Sequence, residues 1–260
     1  GKSTELGVTL DHVRKRYGAP TIRIAKNIPQ PLRISTGSFI LDFSLLGGIP
    51  FNRTSMFVGE RHAGKSLLAA LVIANAQRAM PDKTPVLLDV EGTFEGAWAE
   101  KLGVDLDNLP VADCETGEMA ADIAEALVSS RETSLVVIDS LAAITPMKEA
   151  ESSAEDAHVG LQARLIGGMV RKVTSAMIRE RKRGHHVTVL YVNQFRSKIG
   201  ISWGDPRTIP GGRALEYCTT LQIIVKNKEN AGKSDEGIAG IATNDHSYTI
   251  TKNKHNNAPR

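Results

Sequence analysis

Short apolar runs and longer helical stripes alternate along the chain. Runs with strand length and strand character occupy 54–58, 85–90, 109–113, 135–139, 187–194, 221–226 and 248–252. Between them, apolar residues at helical spacing predict helices over 67–80, 94–102, 117–130 and 160–183. The last of these carries Leu161, Leu165, Met169, Val173 and Met177 on one stripe. Alternating strands and helices predict an α/β fold, a mainly parallel central sheet with helices on both faces. Ligands of such sheets sit beyond the carboxyl ends of the strands. Gly59, Glu91, Asp139 and Gln194 all fall at or just past such ends. Ahead of the first strand, Leu10, Val13 and Tyr17 stand at helical spacing beside Arg14, Lys15 and Arg16, and Gly18 and Pro20 stop that helix. A stripe this short needs a surface to dock on, in its own domain or on a neighbouring subunit. Pro29 and Pro31 mark a linker, which divides the chain into an arm over 1–33 and a core over 34–260.

Composition narrows the class without deciding it. With 260 residues and 41% hydrophobic content the chain can bury one sizeable core. No run approaches the roughly 18 apolar residues of a membrane span, and no signal-peptide pattern opens the sequence. Cys114 and Cys218 are isolated thiols, neither a disulfide framework nor a zinc site, and read as small buried residues of a reducing compartment. A net charge of +3 is only mildly basic, so any nucleic-acid binding has to come from local patches.

The strongest chemical signal is Gly59-Glu60-Arg61-His62-Ala63-Gly64-Lys65-Ser66, which satisfies G-x-x-x-x-G-K-[ST] between a predicted strand and a predicted helix. Glycines at both ends let the backbone bend so that its N–H groups face a polyphosphate, and the positive end of the helix dipole faces the same anion. Lys65 then reaches the β- and γ-phosphates and the Ser66 hydroxyl holds Mg²⁺. Asp139, after four apolar residues, suits a carboxylate that binds Mg²⁺ through its water shell, or else caps its strand. Glu91 is either a base for a water attacking the γ-phosphate or a solvated loop acid. The uncharged amide of Gln194 suits a sensor of nucleotide state. Trp98 either stacks on adenine or packs into the core. After Gln194, the stretch 195–204 interleaves Arg196 and Lys198 with Phe195, Ile199, Trp203 and glycines. Cations there can track phosphates while apolar side chains wedge between bases. The basic run 179–183 reads as a solvated helix end favoured by the C-terminal dipole. His158 reads as a loop hydrogen-bonder, and His185 and His186 lack ligand spacing.

Taken together these residues resemble the RecA family of homologous-recombination ATPases, in its bacterial and phage branch. The resemblance runs from about Ile34 to Pro259, with a weaker match around Leu10 to Gly18. It rests on Ile34-Ser35-Thr36-Gly37-Ser38, Lys101-Leu102-Gly103-Val104-Asp105, Val137-Ile138-Asp139-Ser140-Leu141-Ala142-Ala143, Val192-Asn193-Gln194 with Lys198-Ile199-Gly200, Gly211-Gly212 with Ala214-Leu215, and Lys252-Asn253-Lys254 with Ala258-Pro259. It implies a RecA-like P-loop core behind an N-terminal oligomerisation arm. Glu91 would be the catalytic glutamate, acting with Lys65. Gln194 would be the glutamine that couples the γ-phosphate to DNA binding. Trp98 falls at the adenine-stacking aromatic and Glu95 near the acid that contacts the base. The stretches 149–160 and 195–212 match two DNA-binding loops, the second including Arg196, Ser197, Lys198, Ile199, Gly200, Trp203, Gly211 and Gly212, with Arg213 beside it. Arg164 and Arg171 match positions facing the DNA axis. Lys252 and Lys254 match lysines that reach a neighbour's ATP, and Tyr217 an aromatic that transmits nucleotide state between subunits.

The resemblance further implies an ATP- and Mg²⁺-dependent recombinase in the cytoplasm of a bacterial cell or phage-infected host. It would form helical filaments on single-stranded DNA and pair that strand with homologous duplex DNA. A hexameric DNA helicase of the same fold, and an ATP-binding recombination mediator with little hydrolysis, remain alternatives. A membrane transport ATPase is disfavoured because no Leu-Ser-Gly-Gly-Gln signature is present. Several features depart from the family. The cradle interior Glu60-Arg61-His62-Ala63 is unusual, and its extra cation bears on turnover. The first loop is acidic, with Glu149, Glu151, Glu155 and Asp156, which favours backbone contacts to DNA. Arg213 adds a cation beside Gly212, the connection over 179–186 is long, and the chain reaches Arg260 without the family's small C-terminal domain.

Overall fold

The structure, a computed structural model, describes residues 4–18, 22, 32–151, 160–197, 207–228 and 245–254. In chain order its elements are α1 (Glu5–Tyr17), β1 (Arg33–Ile34), α2 (Phe39–Leu45), β2 (Ile49–Pro50), β3 (Thr54–Gly59), α3 (Lys65–Ala79), β4 (Thr84–Asp89), α4 (Gly96–Lys101), β5 (Val111–Asp113), α5 (Gly117–Ser129), β6 (Thr133–Asp139), α6 (Met147–Glu151), α7 (Leu161–Lys182), β7 (Thr188–Gln194), β8 (Arg196–Ser197), β9 (Arg207–Thr208), α8 (Gly212–Cys218), β10 (Leu221–Lys228) and β11 (Asp245–Asn253). A 3-10 turn, Leu141–Ala143, follows β6. Seven strands form the central sheet in the order β11-β10-β3-β7-β6-β4-β5. Every pairing in it is parallel except β10 with the edge strand β11. The mainly parallel α/β fold read from the sequence is the fold observed.

Strands covered on both faces read as continuous apolar runs, because neither face meets water. Successive side chains still point to opposite sides. Phe57, Leu135, Val137, Leu190 and Val192 pack on one face with Leu68, Val72 and Ile73 of α3. Met56, Val58, Val136, Ile138, Val189 and Tyr191 pack on the other face with residues of α5 and α7. Two cores therefore clamp the sheet and fix where its strands end.

Differences from the sequence reading have local causes. On α7 the buried positions include Ile166, Met169, Val170, Val173, Ala176 and Met177, while Leu161 and Leu165 are only half-buried. A strict four-residue stripe turns by about 40° per step around a helix of 3.6 residues per turn, so it winds off the contact face. Helix α2, in a stretch with no element assigned from the sequence, forms because Asp42 organises the segment before it. Its carboxylate accepts from Ser35 Oγ at 2.5 Å, the Thr36 N–H at 2.8 Å and Thr36 Oγ1 at 2.6 Å. The N-terminal helix starts earlier than expected, capped by Thr4, and buries none of its residues. Both cysteines are free and half-buried. At the far end of α7, Glu180 is buried and accepts from Arg183 Nη1 at 2.8 Å, so the basic run is partly neutralised. The linker prolines, His158 and residues 152–159 of the first loop lie outside the described residues.

Tyr191 offers a test of this packing. It is fully buried on β7 and its hydroxyl has no hydrogen-bond partner among the described residues. A buried, unsatisfied polar group costs roughly 1–3 kcal/mol. Tyr191→Phe is therefore expected to leave stability unchanged or raise it by about 1 kcal/mol, as measured by urea unfolding. A loss of that size would show that the hydroxyl is held by a partner.

Candidate functional site

The strand β3 runs into the loop Glu60–Gly64 and then α3, which starts at Lys65 with Gly64 as its N-cap. Gly64 has φ 87° and ψ 17°, a left-handed conformation that side chains disfavour. His62 takes a left-handed turn as well, with φ 56°. Lys65 is buried, and its Nζ donates to the Glu60 carbonyl at 2.6 Å. Burial pulls the lysine below its ordinary range, opposed by the charges of Asp139, Glu91 and Glu60.

Parallel register brings the other candidates to the same edge. Gly59 pairs with Gln194 across β3 and β7, and Asp89 with Asp139 across β4 and β6. Burial pushes the Asp139 carboxyl up to about 6, helped by Glu91 and Asp89 and opposed by a hydrogen bond from Ser66 and by Lys65. Glu91 Oε1 accepts from Ser140 Oγ and from Gln194 Nε2, the latter at 2.9 Å. Asp89 is buried and accepts the Phe94 N–H at 2.7 Å, which fixes the approach to α4. From α4, Trp98 stands 48% exposed, so it is not a core residue.

These groups line one cavity of about 1140 Å³. It contains the cradle residues Glu60 to Ser66, together with Glu91, Trp98, Asp139, Gln194, Arg196 and His246. Glu95 lines an adjoining cavity of about 170 Å³ with Ser66, Trp98 and Asp139. Among the described residues no three or more His, Cys, Asp or Glu side chains gather as a self-sufficient metal site. Ser66 and Asp139, hydrogen-bonded to each other, offer the hard oxygen donors that suit Mg²⁺ when phosphate oxygens and water complete the shell.

The residues expected at DNA divide differently. Arg164 and Arg171 are exposed, two turns apart on one side of α7. Arg213 is exposed on α8, which packs against α7 through Gly211. Gly211 has φ 104°, and a Cβ there would lie 2.7 Å from Ile166. Gly212 is likewise left-handed, at φ 59°. Arg196 is exposed and lines the cavity, donating to the Ala142 carbonyl at 2.7 Å. The strands β8 and β9 pair Ser197 with Arg207 and so close the base of the second loop. Lys198, Ile199, Gly200 and Trp203 lie outside the described residues. Lys252 and Lys254 donate to the carbonyls of Glu216 and Tyr217, and Tyr217 is 69% exposed. Sequence reading gave no role to Ser140 or His246. Ser140 follows Asp139 directly, but its contact with Glu91 depends on the β4–β6 pairing. Nothing in the sequence connects His246 with the cradle.

A phosphate cradle at the carboxyl edge of a parallel sheet, with a half-buried carboxylate facing its serine, defines the class of P-loop proteins. Within that class the chain belongs to the RecA family: the family's N-terminal domain, RecA_N, matches residues 4–259. Relatives named Protein RecA include that of Clostridium novyi, 36% identical over 90% of this chain and 66% of its own length. That of Acinetobacter baumannii is 36% identical over 97% of this chain and 70% of its own length. That of Mycobacteroides abscessus is 38% identical over 86% of this chain and 64% of its own length. The chain thus spans about two thirds of the length of these relatives.

The Asp139 environment makes a signed prediction. Its folded pKa, about 6, lies above the ordinary 3.8, so the folded state holds the proton more tightly. Stability therefore falls as pH rises from near 4 to above 6, by on the order of 3 kcal/mol. Asp139→Asn is expected to raise the thermal midpoint of the nucleotide-free protein by several degrees at pH 7.5, with the gain vanishing near pH 4. An equal effect at both pH values, followed by circular dichroism, would remove carboxylate burial as its cause.

Proposed function

We propose that this chain is the ATPase core of a DNA recombinase that assembles on single-stranded DNA and pairs it with homologous duplex DNA. The observation that carries this reading is the hydrogen bond from Gln194 to Glu91. It joins the candidate hydrolytic carboxylate to the strand end from which the second loop departs. In this reading the cradle amides and Lys65 hold the β- and γ-phosphates of ATP, and Trp98 takes the adenine face. Ser66 and Asp139 hold Mg²⁺, whose chemistry is to offset phosphate charge. Glu91 orients a water and accepts its proton, its carboxylate held by Ser140 and Gln194. A change at the phosphate end shifts Gln194 and with it Phe195 and β8, so nucleotide state is passed to the second loop.

Assembly and localisation follow the family. Lys252 and Lys254 complete a neighbouring subunit's site across a filament interface, Tyr217 passes nucleotide state between subunits, and the 1–33 arm docks on that neighbour. The protein works in the cytoplasm. Among the described residues no helix is long and apolar enough to cross a membrane. Arg164, Arg171 and Arg213, together with the second loop, meet the DNA backbone, where phosphate neutralisation releases counterions.

Two measurements test the reading. Glu91→Gln is expected to retain nucleotide binding but slow hydrolysis at least ~100-fold, the scale of general-base loss. Unchanged turnover in the presence of single-stranded DNA would place the base elsewhere. With a non-hydrolysable ATP analogue, replacing Arg171 or Arg213 by Ala is expected to flatten the slope of log affinity against log salt by roughly 0.7 each. Single-strand binding that ignored both the nucleotide and these cations would exclude this face as the DNA site.

A further inference from the structure

The phosphate loop is touched from an unexpected direction. His246, the second residue of β11, stands against Gly64, where a Cβ would lie 2.6 Å from its Cε1 and 3.0 Å from its Nδ1. The same imidazole lines the cavity with Lys65, Asp139 and Gln194. Its Nδ1 is buried and has no hydrogen-bond partner among the described residues. Its place is set by the strand, where it pairs with Asn227 of β10, and by contact with the loop.

A loop that turns on a left-handed glycine has many conformations open to it, and ordering them when a ligand arrives costs affinity. Here the loop is held at two points. At its start Lys65 donates to the Glu60 carbonyl. At its end a flat ring stands against the glycine that caps α3. Resting on the nucleotide-site reading above, we propose that His246 is a positioning residue of the phosphate loop, its ring bracing Gly64 so that the loop's amides face the phosphates before nucleotide arrives. A side chain at position 64 would have to displace the ring, a demand separate from that of the backbone angle.

The test is calorimetric binding of Mg-ADP and a non-hydrolysable ATP analogue to the full chain, with thermal unfolding run on each variant. His246→Ala is expected to weaken both nucleotides ~5-fold, the scale of ordering a few more groups on binding. His246→Phe keeps a flat ring without the nitrogens and is expected to restore affinity to within about twofold of the parent. His246→Asn removes the ring but stays polar; it is expected to match the Ala variant and replaces it should that variant not fold. In a double-mutant cycle, Gly64→Ala is expected to be less damaging with His246→Ala than alone, because the clash with the ring is gone. Unaltered binding by the Ala and Asn variants, while Lys65→Ala still weakens it, would overturn the bracing role and leave the nucleotide site standing. A Phe variant as weak as the Ala variant would also overturn it. A parent chain that bound neither nucleotide would overturn the nucleotide-site reading and this inference with it.

Discussion

The desolvation of two opposite charges at one sheet edge is the constraint on which the site depends. Lys65 and Asp139 are each pushed toward neutrality by burial, and each is partly restored by the other's charge. Neither relies on the other alone: Lys65 also donates to the Glu60 carbonyl and feels Glu91, and Asp139 accepts from Ser66. The pair is held at the edge by the two cores that clamp the sheet, so the stability of the fold and the electrostatics of the site are not separable. An incoming polyphosphate with Mg²⁺, as proposed, would meet both groups and supply each with a stronger partner.

Hydrogen bonds extend this edge outward in two directions. Glu91 is tied to Ser140 and Gln194, and Arg196 to the Ala142 carbonyl, so the strand ends of β6 and β7 are linked around the cavity. Asn193 Nδ2 donates to the Pro210 carbonyl at 2.9 Å, which fastens β7 to the turn before α8. On the other side, β11 spans the distance from His246 at the cradle to Lys252 near the end of α8. The second loop therefore leaves β7 through Phe195 and Arg196, which line the cavity, and its far end is fastened back to β7 at Pro210.

The elements that were readable from the sequence are those whose signal is local. Each buried parallel strand is a continuous apolar run because both of its faces are covered, and the cradle combines a strand, two glycines and a helix within a few residues. Where the signal is spread over a helix it is less exact: a stripe counted from Leu161 and Leu165 winds off the contact face, and burial follows the helical turn to Ile166 and Val170. A short helix does not reveal which of its faces meets the sheet, so the sequence alone leaves Trp98 between core and cavity. The chemistry of Arg196 is legible as a cation, but not its hydrogen bond to the Ala142 carbonyl.

What the sequence determined by itself was the fold class, the cradle, and the carboxylates and amide at strand ends, because each is encoded within one element and its following turn. What only the tertiary structure decided were relations between elements far apart in the chain. The Ser140–Glu91 and Gln194–Glu91 hydrogen bonds require the order and register of β4, β6 and β7. The contact of His246 with Gly64 requires β11 to lie beyond β10 at the sheet edge next to β3. Strand order and register are set by how two cores pack against one sheet, a property of the whole chain that no single stretch carries.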